Sequence, residues 1–180
     1  MDRRTGSTGD AAAAKPAAAN LPVTVREIRA GDATAALRVC IAAWEKGPGG
    51  LLPASARAPM ADGAAIAAIL RDAPERMLVA DVGGHVLGVV ASEPGDEQLT
   101  DLWVEPRAWG RGLGSQLLAA FEQAAAARGC KRVTLETLIG NDRSLAFFRR
   151  RGYRLVERFT TRDRDLHMMI EKLRLEKRLA

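Results

Sequence analysis

Residues 99–121 read LTDLWVEPRAWGRGLGSQLLAAF and join an alternating stretch, a glycine-bearing turn and a helical stretch. Leu102 and Val104 alternate with Asp101 and Trp103, the two-residue period of a strand. Pro106, which has no backbone donor, stops that strand. Gly110, Gly112 and Gly114 make a turn with no side chains on its inner wall, and Leu113, Leu117 and Phe121 then stack at four-residue spacing on a helix. Physically this is an anion site. The first N–H groups of a helix lack partners within it and carry the positive end of its dipole. Glycines let a phosphate approach that backbone closely. The same turn also serves as a plain strand-to-helix connection, so its meaning depends on the surrounding chain.

Upstream, residues 77–82 and 85–92 read as strands joined by a two-residue turn at Gly83-Gly84, since both glycines accept positive φ. With residues 93–96 as a second turn and 97–104 as a third strand, they form an antiparallel meander. Earlier still, residues 23–29 alternate as a first strand. Residues 33–44 form a helix with Ala36, Leu37, Cys40, Ile41 and Trp44 on one face and Asp32 as its N-cap. Residues 45–59 read as a loop and 60–71 as a second helix. Downstream, the helix after the glycine turn runs to Arg128 and stops at Gly129. Residues 131–137 alternate as a strand, and the right-handed crossover rule makes it parallel to 97–104. Asn141 or Asp142 caps a short helix containing Leu145 and Phe148. Residues 153–160 and 167–173 are two further strands around a charged turn at 162–165, followed by a basic end. Residues 1–20, rich in Ala and Gly without periodicity, read as a disordered tail, and 21–180 as a single domain. The fold class is α+β: a mixed, mostly antiparallel sheet of seven strands with one parallel step and four helices.

The chain has 180 residues, 27 Lys and Arg against 22 Asp and Glu, and a net charge of +5. No run of five like charges occurs, so the basic balance fits a phosphorylated ligand or a solvated arginine-rich surface better than nucleic acid. Neither Cys40 nor Cys130 belongs to a CxxC pair and the only histidines are His85 and His167, so no metal site is expected. No apolar run approaches the roughly 18–20 residues of a membrane span, and the start lacks the apolar core of a signal peptide. A cytoplasmic protein is expected.

Residues 104–114, VEPRAWGRGLG, resemble the acyl-CoA pyrophosphate loop of the GNAT (Gcn5-related) N-acetyltransferases. Residues 141–153, NDRSLAFFRRRGY, are similar to the last motif of that family, an asparagine, an aromatic pair, then a glycine and an aromatic. Element order and motif spacing match as well. The resemblance covers about residues 23–173 and implies a GNAT-like sheet of six to seven strands with one splayed parallel pair, flanked by about four helices. It implies acetyl-CoA as cosubstrate, held by Leu102, Trp103, Val104, Trp109, Gly110, Arg111, Gly112, Leu113, Gly114, Ser115, Asn141, Arg143 and Phe148. Within that set, the N–H groups of residues 110–115 would cradle the pyrophosphate and residues 102–104 would offer backbone groups to the pantetheine arm. The implied reaction is direct attack of an amine on the thioester in a ternary complex, with the Val104 N–H stabilising the oxyanion. The resemblance, and no feature of the sequence, also implies a homodimer.

Three positions depart from the family pattern. Trp109 stands at the arginine or glutamine of the phosphate loop, Phe148 at the frequent tyrosine acid, and Gln98 where some members carry a glutamate base. The nearby acids are Glu97 and Asp101, each a candidate for a base acting through water. Strand alternation places both on one side with Leu99 and Trp103. The alternative to an enzyme is a sensor that binds acyl-CoA without turnover. The acceptor, a small-molecule or peptide amine, would meet residues 44–60 and 158–165 by family analogy. Glu45, Asp62, Asp163 and Asp165 would attract a cationic amine, or else serve as ordinary surface acids.

Overall fold

A computed structural model describes residues 22–53, 74–92, 97–163 and 167–179. The expected tail at 1–20, the helix at 60–71, the turn at 93–96 and the tip of the charged turn at 164–165 lie outside the described residues.

One seven-stranded sheet carries the structure. Its strands are β1 (Val23–Glu27), β2 (Met77–Val82), β3 (His85–Ser92), β4 (Gln98–Val104), β5 (Arg132–Leu138), β6 (Arg154–Asp163) and β7 (Met168–Arg178). Their spatial order is β1-β2-β3-β4-β5-β7-β6. Every neighbouring pair is antiparallel except β4 and β5, the parallel step expected from the crossover. Among the described residues there are three α-helices: α1 (Ala33–Lys46), α2 (Leu113–Ala127) and α3 (Asp142–Arg149).

Two cores separate on the two faces of the sheet. On one, Ala36, Val39 and Cys40 of α1 pack on Val79, Val86, Val89 and Ala91. On the other, Leu113, Leu117, Leu118 and Phe121 of α2 pack with Val90, Leu99, Val133, Leu135, Phe148 and Leu175. Asp32 precedes α1 without a side-chain capping bond to it. Its carboxylate instead accepts from the Arg29 N–H at 2.8 Å and pairs with Arg26, which also holds Asp81.

The expectation that Leu99, Asp101 and Trp103 share a side is corrected. Ser92 pairs with Leu99 and Ala91 with Asp101, so β4 spends two residues where β3 spends one. This β-bulge at Thr100 reverses the facing of everything after it. Leu99 packs in the α2 core, whereas Trp103 packs against the α1 core. The last two strands also run further than their sequence suggests. β6 reaches Asp163 and β7 reaches Arg178, because charged residues of the basic end find opposite charges across the sheet: Arg174 with Glu136 and Glu157, Glu176 with Arg132.

Candidate functional site

The bulge marks the point where β4 and β5 part. Their pairing consists of Gln98 with Thr134 and Leu99 with Leu135, and none follows. Beyond it, the Glu105 N–H donates to the Leu87 carbonyl at 2.9 Å. In an antiparallel ladder alternate residues turn both backbone groups to the partner. Residues 105, 103 and 101 therefore face β3, and Leu102 and Val104 turn their N–H and C=O groups to the side that β5 has left. An unpaired strand edge thus runs from the bulge straight into the glycine turn.

The turn itself is built by residues with left-handed backbone. Gly110 has φ 79° and Gly112 has φ 83°, values that a side chain would strain. Gly112 precedes α2 and caps it with no side chain, so the first N–H groups of the helix stay open to a ligand. The Ser115 N–H is not among them, since it bonds the Gly112 carbonyl at 3.0 Å. Trp109 folds back across the turn. Its indole Nε1 donates to the Val104 carbonyl at 2.6 Å, and the Arg143 guanidinium lies on its ring 3.3 Å from the centroid.

α3 closes the site from the β5 side. Asn141 is its N-cap: the Oδ1 accepts from the Ser144 N–H at 3.3 Å and the Nδ2 donates to Thr137 Oγ1 at 3.2 Å. At the other end of the helix Arg151 lies on the Phe147 ring, donates to the Phe147 carbonyl at 3.0 Å and hydrogen-bonds the Ser115 hydroxyl. Burial pulls the Arg143 and Arg151 guanidinium pKa values down, a destabilisation of charge that a bound anion relieves. Phe148 is buried edge-on between Phe147 and Tyr153. The Tyr153 hydroxyl points elsewhere, donating to Glu122 Oε1 at 3.0 Å; burial, then the Glu122 carboxylate, push its pKa up.

Two cavities meet at the splay. The larger, about 420 Å³, is lined by residues 102–104, by Trp109, Gly110 and residues 112–115 of the turn, and by Asn141, Arg143, Phe147 and Phe148. Arg150 and Arg151 also line it, and among the described residues no carboxylate does. Open helix N–H groups and three guanidiniums without an acid fit the phosphates of a coenzyme A donor. The smaller, about 200 Å³, is lined by Trp44, Thr100, Glu136, Thr137, Asp163, Ile170 and Lys172. Leu102, Trp103, Asn141 and Phe148 border both.

Glu97 and Asp101, the two acids singled out as bases acting through water, line neither cavity, whereas Asp163, singled out as an attractor of the amine, lines the smaller one. Glu97 is held at the surface by Arg132, 3.2 Å away. Asp101 lies towards α1, and its Oδ1 accepts from Trp103 Nε1 at 2.6 Å. Burial drives its pKa up against the opposing hydrogen bonds from Trp103 and Thr100. It thereby positions the indole that borders both cavities. Arg111 is exposed and lines neither. Sequence reading missed Arg150, Arg151, Glu136 and Lys172. Arg150 and Arg151 looked like charge at a helix end. Glu136 carried a usable signal, an acid on the strand that the parallel step sets beside the splay.

The sequence matches the acetyltransferase (GNAT) family over residues 41–153, well over half of the chain. Among solved structures, it is similar to a GCN5-related N-acetyltransferase from Rhodopseudomonas palustris, with 25% identity, a TM-score of 0.74 and coverage of 87% of this chain and 95% of that one. The PaiA N-acetyltransferase from Thermoplasma acidophilum, solved in complex with coenzyme A, shares the fold at 15% identity and a TM-score of 0.72, covering 88% and 99%. A ribosomal-protein-alanine N-acetyltransferase from Brucella melitensis shares it at 21% identity and a TM-score of 0.70, covering 87% and 99%. On the family match, carried by a chain with a splayed β4–β5 pair and a glycine turn at the head of α2, the protein belongs to the acetyltransferase (GNAT) family.

Proposed function

We propose that the protein transfers an acetyl group from acetyl-CoA to a primary amine by direct attack in a ternary complex. The observation that carries this reading is the open edge of β4, lying between a cavity lined by arginines and one that holds Glu136, Asp163 and Lys172. The open N–H groups at the head of α2, with Arg143, Arg150 and Arg151, hold the phosphates of the donor. Leu102 offers both backbone groups to the pantetheine amides. Val104 offers its N–H alone, because Trp109 occupies its carbonyl.

The amine enters from the smaller cavity. Its nitrogen bonds to the thioester carbon, the Val104 N–H stabilises the oxyanion, and the carbon–sulfur bond then breaks. Glu136, on the β5 side of the splay, takes the proton shed by the amine directly or through a water. Phe148 has no proton to give, so the thiolate departs unprotonated, which its pKa of about 8.5 allows. Phe148 also favours the second reading, an acyl-CoA sensor without turnover.

One pair of measurements separates the two readings: calorimetric binding of acetyl-CoA, and release of free thiol from acetyl-CoA across a panel of amines. Turnover with any primary amine supports transfer. Binding without turnover on the whole panel selects the sensor, and absence of binding removes both.

A further inference from the structure

The lining of the smaller cavity bears on what molecule carries the amine. Lys172 Nζ lies 3.2 Å from Asp163 Oδ2 and 3.7 Å from Glu136 Oε2. Arg174 holds the other Glu136 oxygen at 3.0 Å from behind. Glu136, Asp163 and Lys172 line the cavity itself, whereas Arg174 stands behind Glu136 and is shared with Glu157. The Lys172–Glu136 separation is beyond hydrogen-bond length, so the ammonium keeps donor capacity on that side. The rest of the wall includes apolar Trp44, Leu138 and Ile170.

A lysine in the wall beside Glu136 disfavours a polycation, whose second ammonium would meet it. It also disfavours a peptide N-terminus, which sets a neutral amide beside its amine and gives the remaining donor capacity of Lys172 no charge to meet. We infer that the acceptor is a free α-amino acid with an apolar side chain. Its amine faces Glu136, its carboxylate faces Lys172, and its side chain lies against Trp44, Leu138 and Ile170. Both charged groups of an α-amino acid sit on one carbon, so the groups that receive them must be neighbours, as Glu136 and Lys172 are. At about 200 Å³ the cavity falls below the roughly 300–1,000 Å³ of common ligand pockets, which suits a molecule of this size. In the reaction a nitrogen–carbon bond replaces the carbon–sulfur bond, one amine proton leaves through Glu136, and the carboxylate is untouched.

The inference rests on the acetyl-transfer reading, and its test uses matched acceptors. Leucine, leucinamide and 3-methylbutylamine differ only in what stands in place of the carboxylate. With rates expressed per neutral amine, kcat/KM for leucine is expected to exceed both others by at least about tenfold. In Lys172→Gln that margin should shrink to about twofold, chiefly through KM for leucine, while Lys172→Arg keeps the order. Equal or better turnover of the amide or the amine by the wild type overturns the inference. So does a Lys172→Gln protein that folds and keeps the margin, or turnover confined to polyamines or peptides. Acetyl-CoA binding, read in parallel by calorimetry, separates the two levels. Binding without leucine turnover removes the acceptor assignment alone, whereas absence of binding removes acetyl transfer with it.

Discussion

Trp109 shows how one residue changes the work of its neighbours. The resemblance sets an arginine or glutamine at this place in the phosphate loop. The indole instead holds the Val104 carbonyl and gives Arg143 a flat support. On the proposed reading, the cation missing from the loop is supplied by Arg143 of α3, which rests on the residue that replaced it. Trp109→Ala removes the support, and about tenfold weaker coenzyme A binding by calorimetry is expected, whereas Trp109→Phe should stay within about threefold. Equal losses for both variants would show that the ring carries nothing. Asp101 gives a second expectation. Burial raises its pKa in the fold, so the folded protein holds this proton to higher pH than the unfolded chain does. Ionising it therefore costs stability, and the cost grows as pH rises above the unfolded carboxyl value of about 3.9. Asp101→Asn keeps an acceptor for the Trp103 N–H. It should be more stable than the wild type in urea melts at pH 7, with the gap closing towards pH 4. A gap that widens on acidification would reverse the sign and refute the assignment.

At the scale of elements, most of the sheet was legible because strand and helix periods differ and each stretch kept its own. The glycine turn and the Asn141 cap were legible too, since both rest on local backbone chemistry. The bulge at Thr100 was not: an inserted residue leaves the letters alternating while it reverses which face they meet. The length of β7 was hidden for a related reason. Arg174, Glu176 and Arg178 read as a charged end until Glu136, Glu157 and Arg132 are placed beside them. Of the proposed site, the glycine turn and the Asn141 cap are local features of sequence, whereas the smaller cavity is assembled by β5, β6 and β7 side chains far apart in sequence. The bulge makes a prediction for amide exchange. The Leu102 and Val104 N–H groups face no strand and should exchange quickly in the free protein, while the Trp103 N–H, turned to β3, should be protected. Coenzyme A should slow the first two and leave the third as it was. Uniform protection along residues 102–104 without ligand would mean that the edge is not open.

Taken whole, the molecule is two half-sheets joined across the splay. β1 to β4 carry α1 and α2, and α3 follows β5 and sets Phe148 in the α2 core. Direct pairing between the halves is limited to two register pairs. Further ties are Arg151 to Ser115 and the contact of Glu122 on α2 with Tyr153 and with Lys177, the latter at 2.6 Å. The larger cavity, proposed to hold the phosphates, spans that same seam, with helix N–H groups from one half and Arg143, Arg150 and Arg151 from the other. A ligand bound there links the halves, and its stabilisation follows from mass action. At a concentration 100 times its Kd it adds about 2.7 kcal/mol to the unfolding free energy. For a chain of this size that corresponds to a rise in Tm of about 5–10 °C. Because the linking groups are cations and amides, the effect should belong to the phosphates. Pantetheine, which has the same arm without them, should give less than about a third of the shift at equal concentration, and added salt should erode the coenzyme A shift as it screens the arginines. Equal shifts from the two ligands, or a coenzyme A shift indifferent to salt, would place the binding energy in the arm and remove the arginines of α3 from the donor site.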